Sequence, residues 1–201
     1  MAVTKQNSET VSHRRKDGRK DERVRRTRGR IDAALVQLLH RRPYGDIRVS
    51  HITKKAGVGR ATFYAHYAAK DDLLRSQFER IVAPMLIVSP DDPLLLDASR
   101  LFAHIGSAPY IYRALMGPSG GGAPRVLRDC FEACARKALA LDQSGSGLKQ
   151  SATSRFVASS LLTVIECWLE HGGHETPQQV QTLFKNLVGP GLRLQQARQA
   201  G

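Results

Sequence analysis

The chain has 201 residues, with 31 Lys and Arg and 18 Asp and Glu for a formal net charge of +13, and this length suits one medium domain or two small domains that share a core. It contains no apolar run of the roughly eighteen residues that a membrane span needs, and its polar, basic N-terminus lacks the apolar stretch of a secretory signal, so we expect a cytoplasmic protein. The three cysteines, Cys130, Cys134 and Cys167, are an odd number set in apolar helical patterns, which argues against a disulfide framework.

Residues 1–20 combine few large apolar side chains with many charges, including a basic run between Arg14 and Lys20. This composition predicts a basic disordered arm in the free protein. Such an arm either contacts the phosphates or the minor groove of DNA or only keeps the protein soluble, and the sequence leaves both interpretations open.

A compact helical motif is predicted within residues 21–70. A first helix over about residues 21–41 is followed by a short second helix in which Val49, Ile52 and Ala56 share one face. Gly57 can adopt a positive φ and turn the chain sharply, and a third helix follows from about Gly59. This pattern predicts a helix-turn-helix, a motif that directs the start of its second helix into the DNA major groove.

The positive charge is concentrated in and before this motif. Residues 1–70 hold 18 of the basic and 6 of the acidic side chains, a net charge of +12, whereas residues 71–201 carry only +1. A basic region next to a motif that reads a DNA groove is expected for a protein whose partner is a polyanion.

Residues 31–74 resemble the DNA-binding region of the TetR family of bacterial transcriptional regulators. The resemblance rests on several features in a fixed order: the stretch that begins at Ile31, the Ala56-Gly57-Val58 turn, the stretch that begins at Arg60, and the Lys-Asp-Asp-Leu-Leu stretch that begins at Lys70. It implies an all-α homodimer that binds palindromic double-stranded operator DNA. It also implies that an unidentified small-molecule ligand enters the C-terminal domain and releases the DNA.

The resemblance also implies roles for individual residues. Arg60, Ala61 and Thr62 would face base edges, with Arg60 able to contact guanine through two hydrogen bonds. Gly59 would stand at the same surface without a side chain, where many relatives have Ser or Asn. The residues expected to contact phosphates, which position the protein without specifying sequence, are Arg48, Lys54, Tyr64, His66 and Lys70. Arg48 replaces the Thr that usually caps the second helix.

The rest of the chain, residues 71–201, is predicted to be an effector-binding and dimerisation domain. Its helices are predicted over about residues 70–85, 93–106, 109–116, 124–141, 151–171 and 177–189, with no convincing strand. Pro84 either bends or stops the first of them, and Pro190 stops the last. The fold class is therefore all-α, with an N-terminal three-helix helix-turn-helix domain and about nine helices in total. The wide apolar stripes of the last two helices predict a four-helix interface between two copies.

Residues of three kinds in the C-terminal domain could have a function beyond packing. For the effector pocket we select the aromatic residues His104, Tyr110, Phe131 and Trp168 from a set of which most pack in the core. Acidic, thiol and imidazole groups between residues 166 and 174 could suggest a metal, but they lack the spacing of structural zinc sites, so a polar helix end is favoured and no metal or cofactor is predicted. Cys130 and Cys134 lie one turn apart, and buried core thiols are favoured over a redox switch.

These features predict a sequence-specific DNA-binding transcriptional regulator, most often a repressor in the family it resembles. An architectural DNA-binding protein without sequence preference is the alternative, because it would use the same charge. An enzyme is not expected, since no catalytic constellation emerges and the glycines at 120–122 follow no predicted strand.

Overall fold

The computed structural model describes residues 3–89, 92–139 and 147–197, with side chains detailed from residue 21 apart from 89–95 and those after 193. The helices of the N-terminal part are α1 (Val3–Leu39), α2 (Val49–Ala56), α3 (Arg60–Tyr64) and α4 (Lys70–Gln77). A short hairpin of β1 (Ile87–Ser89) and β2 (Asp92–Asp97) follows. The remaining helices are α5 (Ser99–Ser107), α6 (Pro109–Met116), α7 (Ala123–Ala138), α8 (Gly147–Glu170) and α9 (Pro177–Ala197). The predicted all-α class is confirmed.

The N-terminal helices pack around side chains that the apolar periodicity had placed inside. Ile31 and Leu35 of α1 are fully buried, as are Ile52 of α2 and Phe63 of α3. Between α1 and α2 the chain forms a 3-10 turn over Tyr44–Asp46, and the Tyr44 side chain is fully buried as well. A long first helix thus supports two short helices that could not bury enough apolar surface alone.

At the N-terminus the structure differs from the predicted disordered arm, because α1 begins at Val3. Residues 3–20 contain no proline, and Lys, Arg, Gln and Glu all have high helix propensity, so the local sequence does not interrupt the helix. A contact between this segment and DNA stays a prediction.

The hairpin was not predicted, and it corrects the expected start of the fifth helix. Residues 92–97 form a strand that pairs antiparallel with Ile87–Ser89, whereas the Asp92-Pro93 pair was read as a helix start. The carboxylate of Asp97 instead accepts hydrogen bonds from the Ser99 backbone N–H at 2.8 Å and the Ser99 hydroxyl at 2.6 Å. These local hydrogen bonds lie at the start of α5, which begins at Ser99, about six residues later than the sequence pattern suggested.

The two prolines at predicted helix ends, Pro84 and Pro190, have different effects on the chain. After α4 the helical path continues through a π-turn, Phe78–Val82, and a 3-10 turn, Ala83–Met85, and then becomes extended at Leu86. Pro84 therefore lies in the last turn and the helix ends there. Pro190, predicted to stop the last helix, lies inside α9: its fixed φ falls in the helical range, and the helix continues although Pro190 donates no backbone hydrogen bond.

The C-terminal helices share one continuous core with the N-terminal ones. Helix α8 packs against α7 and α9, and α5 packs against α9. Phe102, Ile105 and Phe184 are fully buried in this part, and Trp168 is nearly so. Among the described residues, no helix combines the length and the apolar character that a membrane span requires.

Candidate nucleic-acid interface

The turn between α2 and α3 has the geometry that its glycines suggested. Gly57 is left-handed with φ 61°, which confirms the prediction, and the Val58 N–H donates to the Thr53 carbonyl at 3.0 Å. Arg30 of α1 supports the turn, since its Nη2 donates to the Gly57 carbonyl at 2.9 Å. A Cβ at Gly57 would lie only 2.7 Å from that Nη2, so a larger residue would displace the Arg30 side chain, and the positive φ itself favours glycine.

The first turn of α3 presents its polar side to solvent. Arg60, Ala61 and Thr62 are all exposed, and Gly59 precedes them in extended conformation. Phe63 on the opposite side is fully buried. The Arg60 guanidinium makes no hydrogen bond or ion pair with any residue that the structure describes, so it can bind a partner without breaking an internal bond.

The predicted phosphate contacts around this turn differ in exposure. Lys54 is exposed and Tyr64 is 51 % exposed, whereas His66 is half-buried beside the Tyr67 ring. The Arg48 side chain is exposed and forms no cap at the start of α2. The Arg48 backbone N–H instead donates to Nδ1 of His51 at 3.2 Å, so His51 replaces the usual capping carboxylate or amide.

Lys70 turns toward the protein and has an internal role that the sequence did not suggest. Its Nζ donates to the Tyr44 carbonyl at 2.8 Å and to the Ile47 carbonyl at 2.7 Å, and lies 4.3 Å from the centre of the Tyr44 ring. Desolvation lowers the pKa of this ammonium, opposed by the nearby charges of Asp71 and Asp46. The ammonium thus holds the 3-10 turn against the start of α4.

A buried polar network fixes the end of the recognition helix to α1. The Tyr67 hydroxyl donates to the Asp32 carboxylate at 2.9 Å and accepts from Arg28 Nε at 3.0 Å. The other Asp32 oxygen lies 2.6 Å from Arg80 of the π-turn, and Gln77 donates to the Asp32 carbonyl at 3.0 Å. The sequence analysis missed this network, although the spacing of Arg28 and Asp32, one helical turn apart on α1, is a signal for it.

The four candidates for the effector pocket do not converge. Phe131 is buried edge-on against Phe78 at 4.8 Å, and Tyr110 is exposed beside His40 with ring centres 4.3 Å apart. His104 is half-buried against Tyr112. Trp168 packs edge-on against Phe102 and borders a cleft of about 250 Å³ between α8 and α9. A second cleft, between the ends of α6 and α8, contains none of the four.

Neither the metal nor the redox alternative gains support from the described part of the chain. It contains no group of three or more His, Cys, Asp or Glu side chains that could hold a metal ion. Cys130 is buried, and burial raises the pKa of its thiol to about 11; Cys134 is half-buried with a raised pKa for the same reason. Thiols of this kind are poor redox switches, and Cys167 alone is exposed among the three.

Comparison with known proteins agrees with the site. Residues 31–76 match the family model for bacterial regulatory proteins of the tetR family. A curated relative, described as an uncharacterized HTH-type transcriptional regulator YxbF from Bacillus subtilis (strain 168), is 33 % identical over 130 residues. The matched region covers 60 % of this chain and 33 % of that protein, so it spans about a third of the relative's length.

Solved structures show the same fold. A TetR transcriptional regulator from Streptococcus agalactiae 2603V superposes with a TM-score of 0.53 at 21 % identity, covering 84 % of this chain and 97 % of that one. The dihydroxyacetone kinase operon activator DhaS gives 0.51 at 18 % identity, with 84 % and 97 % covered. A TetR regulator from Rhodococcus sp. RHA1 gives 0.51 at 15 %, with 80 % and 93 % covered. In sequence over residues 31–76, and in fold over most of its length, the chain is therefore similar to bacterial transcriptional regulators of the TetR family.

Proposed function

We propose that this protein is a sequence-specific DNA-binding repressor that a small-molecule effector releases from its operator. The observation that carries the proposal is the exposed first turn of α3, where Arg60 is free of internal bonds next to Ala61 and Thr62. A guanidinium in this position can donate two hydrogen bonds to guanine, and the two methyl-bearing side chains can contact thymine. Such a regulator acts where the chromosome is, in the cytoplasm.

Sequence-specific binding is favoured over the architectural alternative by the rigidity of this surface. Gly57, Arg30 and the Tyr67 network hold α3 in one orientation relative to α1. An architectural protein that binds through charge and DNA deformability does not require an exposed arginine, without internal hydrogen bonds, on a helix that is held in one orientation. Contacts from Arg48, Lys54 and Tyr64 would add affinity for any sequence.

Two copies are proposed to pair through α8 and α9. Phe156 of α8 is 49 % exposed, and Leu183 and Leu187 of α9 are 50 % and 60 % exposed. These side chains belong to stripes that the sequence predicted to be apolar contact surface, yet the single chain leaves them uncovered. A two-fold axis across them would place two copies of α3 on the same side, as a palindromic operator requires when its half-sites lie about 34–36 Å apart.

The direction of regulation depends on where the operator lies relative to a promoter. The structural neighbour DhaS is described as an operon activator, and the same fold can therefore serve either outcome. Repression by blocking the polymerase requires only DNA binding, the role proposed for the exposed surface of α3. Release by an effector would use the residue 71–201 domain.

The deciding experiment is selection of bound sequences from random double-stranded DNA by the purified protein. We expect an inverted repeat, and an affinity for it at least about a thousandfold above that for random DNA at physiological salt. An affinity ratio near one would reject sequence-specific regulation in favour of the architectural alternative. A selected site without two-fold symmetry would reject the proposed dimer.

A further inference from the structure

A cleft of about 350 Å³ lies where the last turns of α6 and α8 meet. Its floor and walls are apolar, from Met116, Pro118 and Leu169, and its acidic groups are Glu166 and Glu170 of α8. The volume falls at the lower end of the range for small-molecule sites. None of the residues predicted for the effector pocket lines it.

The electrostatics of this cleft favour a cation. Helix α6 ends at Met116 and α8 ends at Glu170, so the partial negative charges of two helix C-termini converge on the same space. Among the residues that the structure describes, neither glutamate forms an ion pair. Arg113 is the only cationic side chain in the lining, and it is engaged with α8, since its Nε and Nη2 donate to the Leu169 carbonyl at 3.3 and 3.1 Å.

The surroundings of Glu166 disfavour the charged form of its carboxyl group. Desolvation raises the pKa of its carboxyl group, and the neighbouring charge of Glu170 raises it further, while Arg128 lowers it. A positive charge in the cleft would offset the repulsion between the two carboxylates.

The same cleft is directly connected to the DNA-binding domain. Gly117 and Pro118 in its lining begin the turn between α6 and α7, and Ser119 in that turn accepts a hydrogen bond from the Gly45 N–H at 3.0 Å. The approach is so close that a Cβ on Gly45 would lie 2.5 Å from the Ser119 carbonyl oxygen. Gly121, with φ 60°, also lies close to Gly45, since a Cβ on Gly45 would lie 3.3 Å from its backbone nitrogen.

We propose that this cleft is the effector site and that its ligand is an organic cation with an apolar body, such as an amine or quaternary ammonium compound. This inference rests on the proposed function, because it assigns the ligand class and the site for the release step. The ammonium group would lie between Glu166 and Glu170, and the apolar body would contact Met116 and Leu169. Occupation would shift the turn at residues 117–122 and, through Gly45, the 3-10 turn that precedes the helix-turn-helix.

The test uses the full chain and benzyltrimethylammonium as the probe, with the net-neutral N-oxide of N,N-dimethylbenzylamine as a ligand of similar shape. Calorimetric titration should show saturable binding of the cation and at least tenfold weaker binding of the N-oxide. The double variant Glu166→Gln/Glu170→Gln should lower cation affinity at least tenfold. Glu175→Gln also removes one carboxylate charge, but outside this cleft, and it should leave the cation affinity unchanged.

The second readout is the affinity for the selected DNA site, measured by fluorescence anisotropy with and without the cation. We expect the cation to weaken DNA binding by the wild type and not by the double variant. Equal affinity for the two probes, or for wild type and double variant, would overturn the ligand class. Cation binding without any change in DNA affinity would overturn the effector assignment.

Failure of the proposed function would be seen separately, as the absence of any selected DNA site, while the calorimetric titration still reports on the cleft. The double variant should retain the wild-type circular dichroism spectrum and DNA affinity in the absence of the cation. That control distinguishes loss of the site from loss of the fold.

Discussion

Replacing Lys70 tests whether this residue acts on DNA or on the fold. In Lys70→Met the ammonium and its two hydrogen bonds, to the carbonyls of Tyr44 and Ile47, are lost. A hydrogen bond from a charged group contributes about 1.5–3 kcal/mol, so the upper limit for the two is about 6 kcal/mol. The Tyr44 carbonyl keeps its bond from the Ile47 N–H at 3.1 Å, and desolvation of the ammonium offsets part of the gain. We therefore expect a loss of about 2–4 kcal/mol in the free energy of unfolding.

The assay is urea denaturation followed by circular dichroism, combined with DNA affinity as a function of salt. Lys55→Met is the matched control, because Lys55 is exposed in the same motif, and its free energy of unfolding should change by less than about 0.5 kcal/mol. The slope of log affinity against log salt should be unchanged in Lys70→Met. A slope reduced by about one with wild-type stability would refute the internal role and restore Lys70 as a phosphate contact.

The pH dependence provides an independent check on the same residue. Desolvation lowers the pKa of Lys70 in the folded state, so the unfolded chain binds more protons between that pKa and the ordinary lysine value. This group must therefore raise the free energy of unfolding of the wild type as pH rises through this window, and Lys70→Met must lack this contribution. The difference in unfolding free energy between the two proteins should widen at alkaline pH; a constant difference would contradict the reasoning.

Three further predictions follow from the described contacts. Arg60→Ala should reduce the difference in binding free energy between operator and random DNA by about 1–3 kcal/mol, whereas Lys54→Ala should weaken binding to both alike. Equal losses on both DNAs in Arg60→Ala would show that Arg60 does not contact bases. Leu183→Glu/Leu187→Glu should give a monomer in sedimentation while the exposed pair Gln178→Glu/Asn186→Glu stays dimeric, and a dimeric leucine variant would reject the α8–α9 interface. Tyr67→Phe removes the hydroxyl between Asp32 and Arg28 and should lower the unfolding free energy by about 1–3 kcal/mol in urea; no loss would mean that the network contributes nothing.

The local part of this fold could be predicted from the sequence because its causes are local. A glycine between two short apolar-periodic segments specifies the left-handed turn at Gly57, and the spacing of Ile52 and Phe63 specifies which sides are buried. Asp72 was expected at the positive end of α4, and its carboxylate accepts from the Ala69 N–H at 2.9 Å. Each of these features depends on residues within one or two turns.

What the sequence did not predict depends on partners far along the chain. The hairpin strand over residues 92–97 is held partly by Gln181, which donates to the Leu96 carbonyl at 3.2 Å and accepts from the Ala98 N–H at 2.9 Å. No local pattern around residue 92 contains that information, so the Asp-Pro pair was read as a helix start. Aromatic content likewise did not locate the cleft between α6 and α8, because that cleft forms where the ends of two helices meet.

The position of Lys70 explains why a change near the cleft would reach the DNA-reading helix. Ser119 contacts the 3-10 turn at Gly45, and Lys70 holds the two carbonyls on either side of Gly45, those of Tyr44 and Ile47. The Tyr44 hydroxyl donates to Asp71 at 2.7 Å, so the turn is also fixed to the start of α4. Since α4 begins directly after the α3 segment and α2 directly after the turn, a shift at residues 117–122 would act on both ends of the helix-turn-helix. A lysine whose sequence position suggests a DNA contact therefore, in this structure, holds the turn between α1 and α2 against the start of α4.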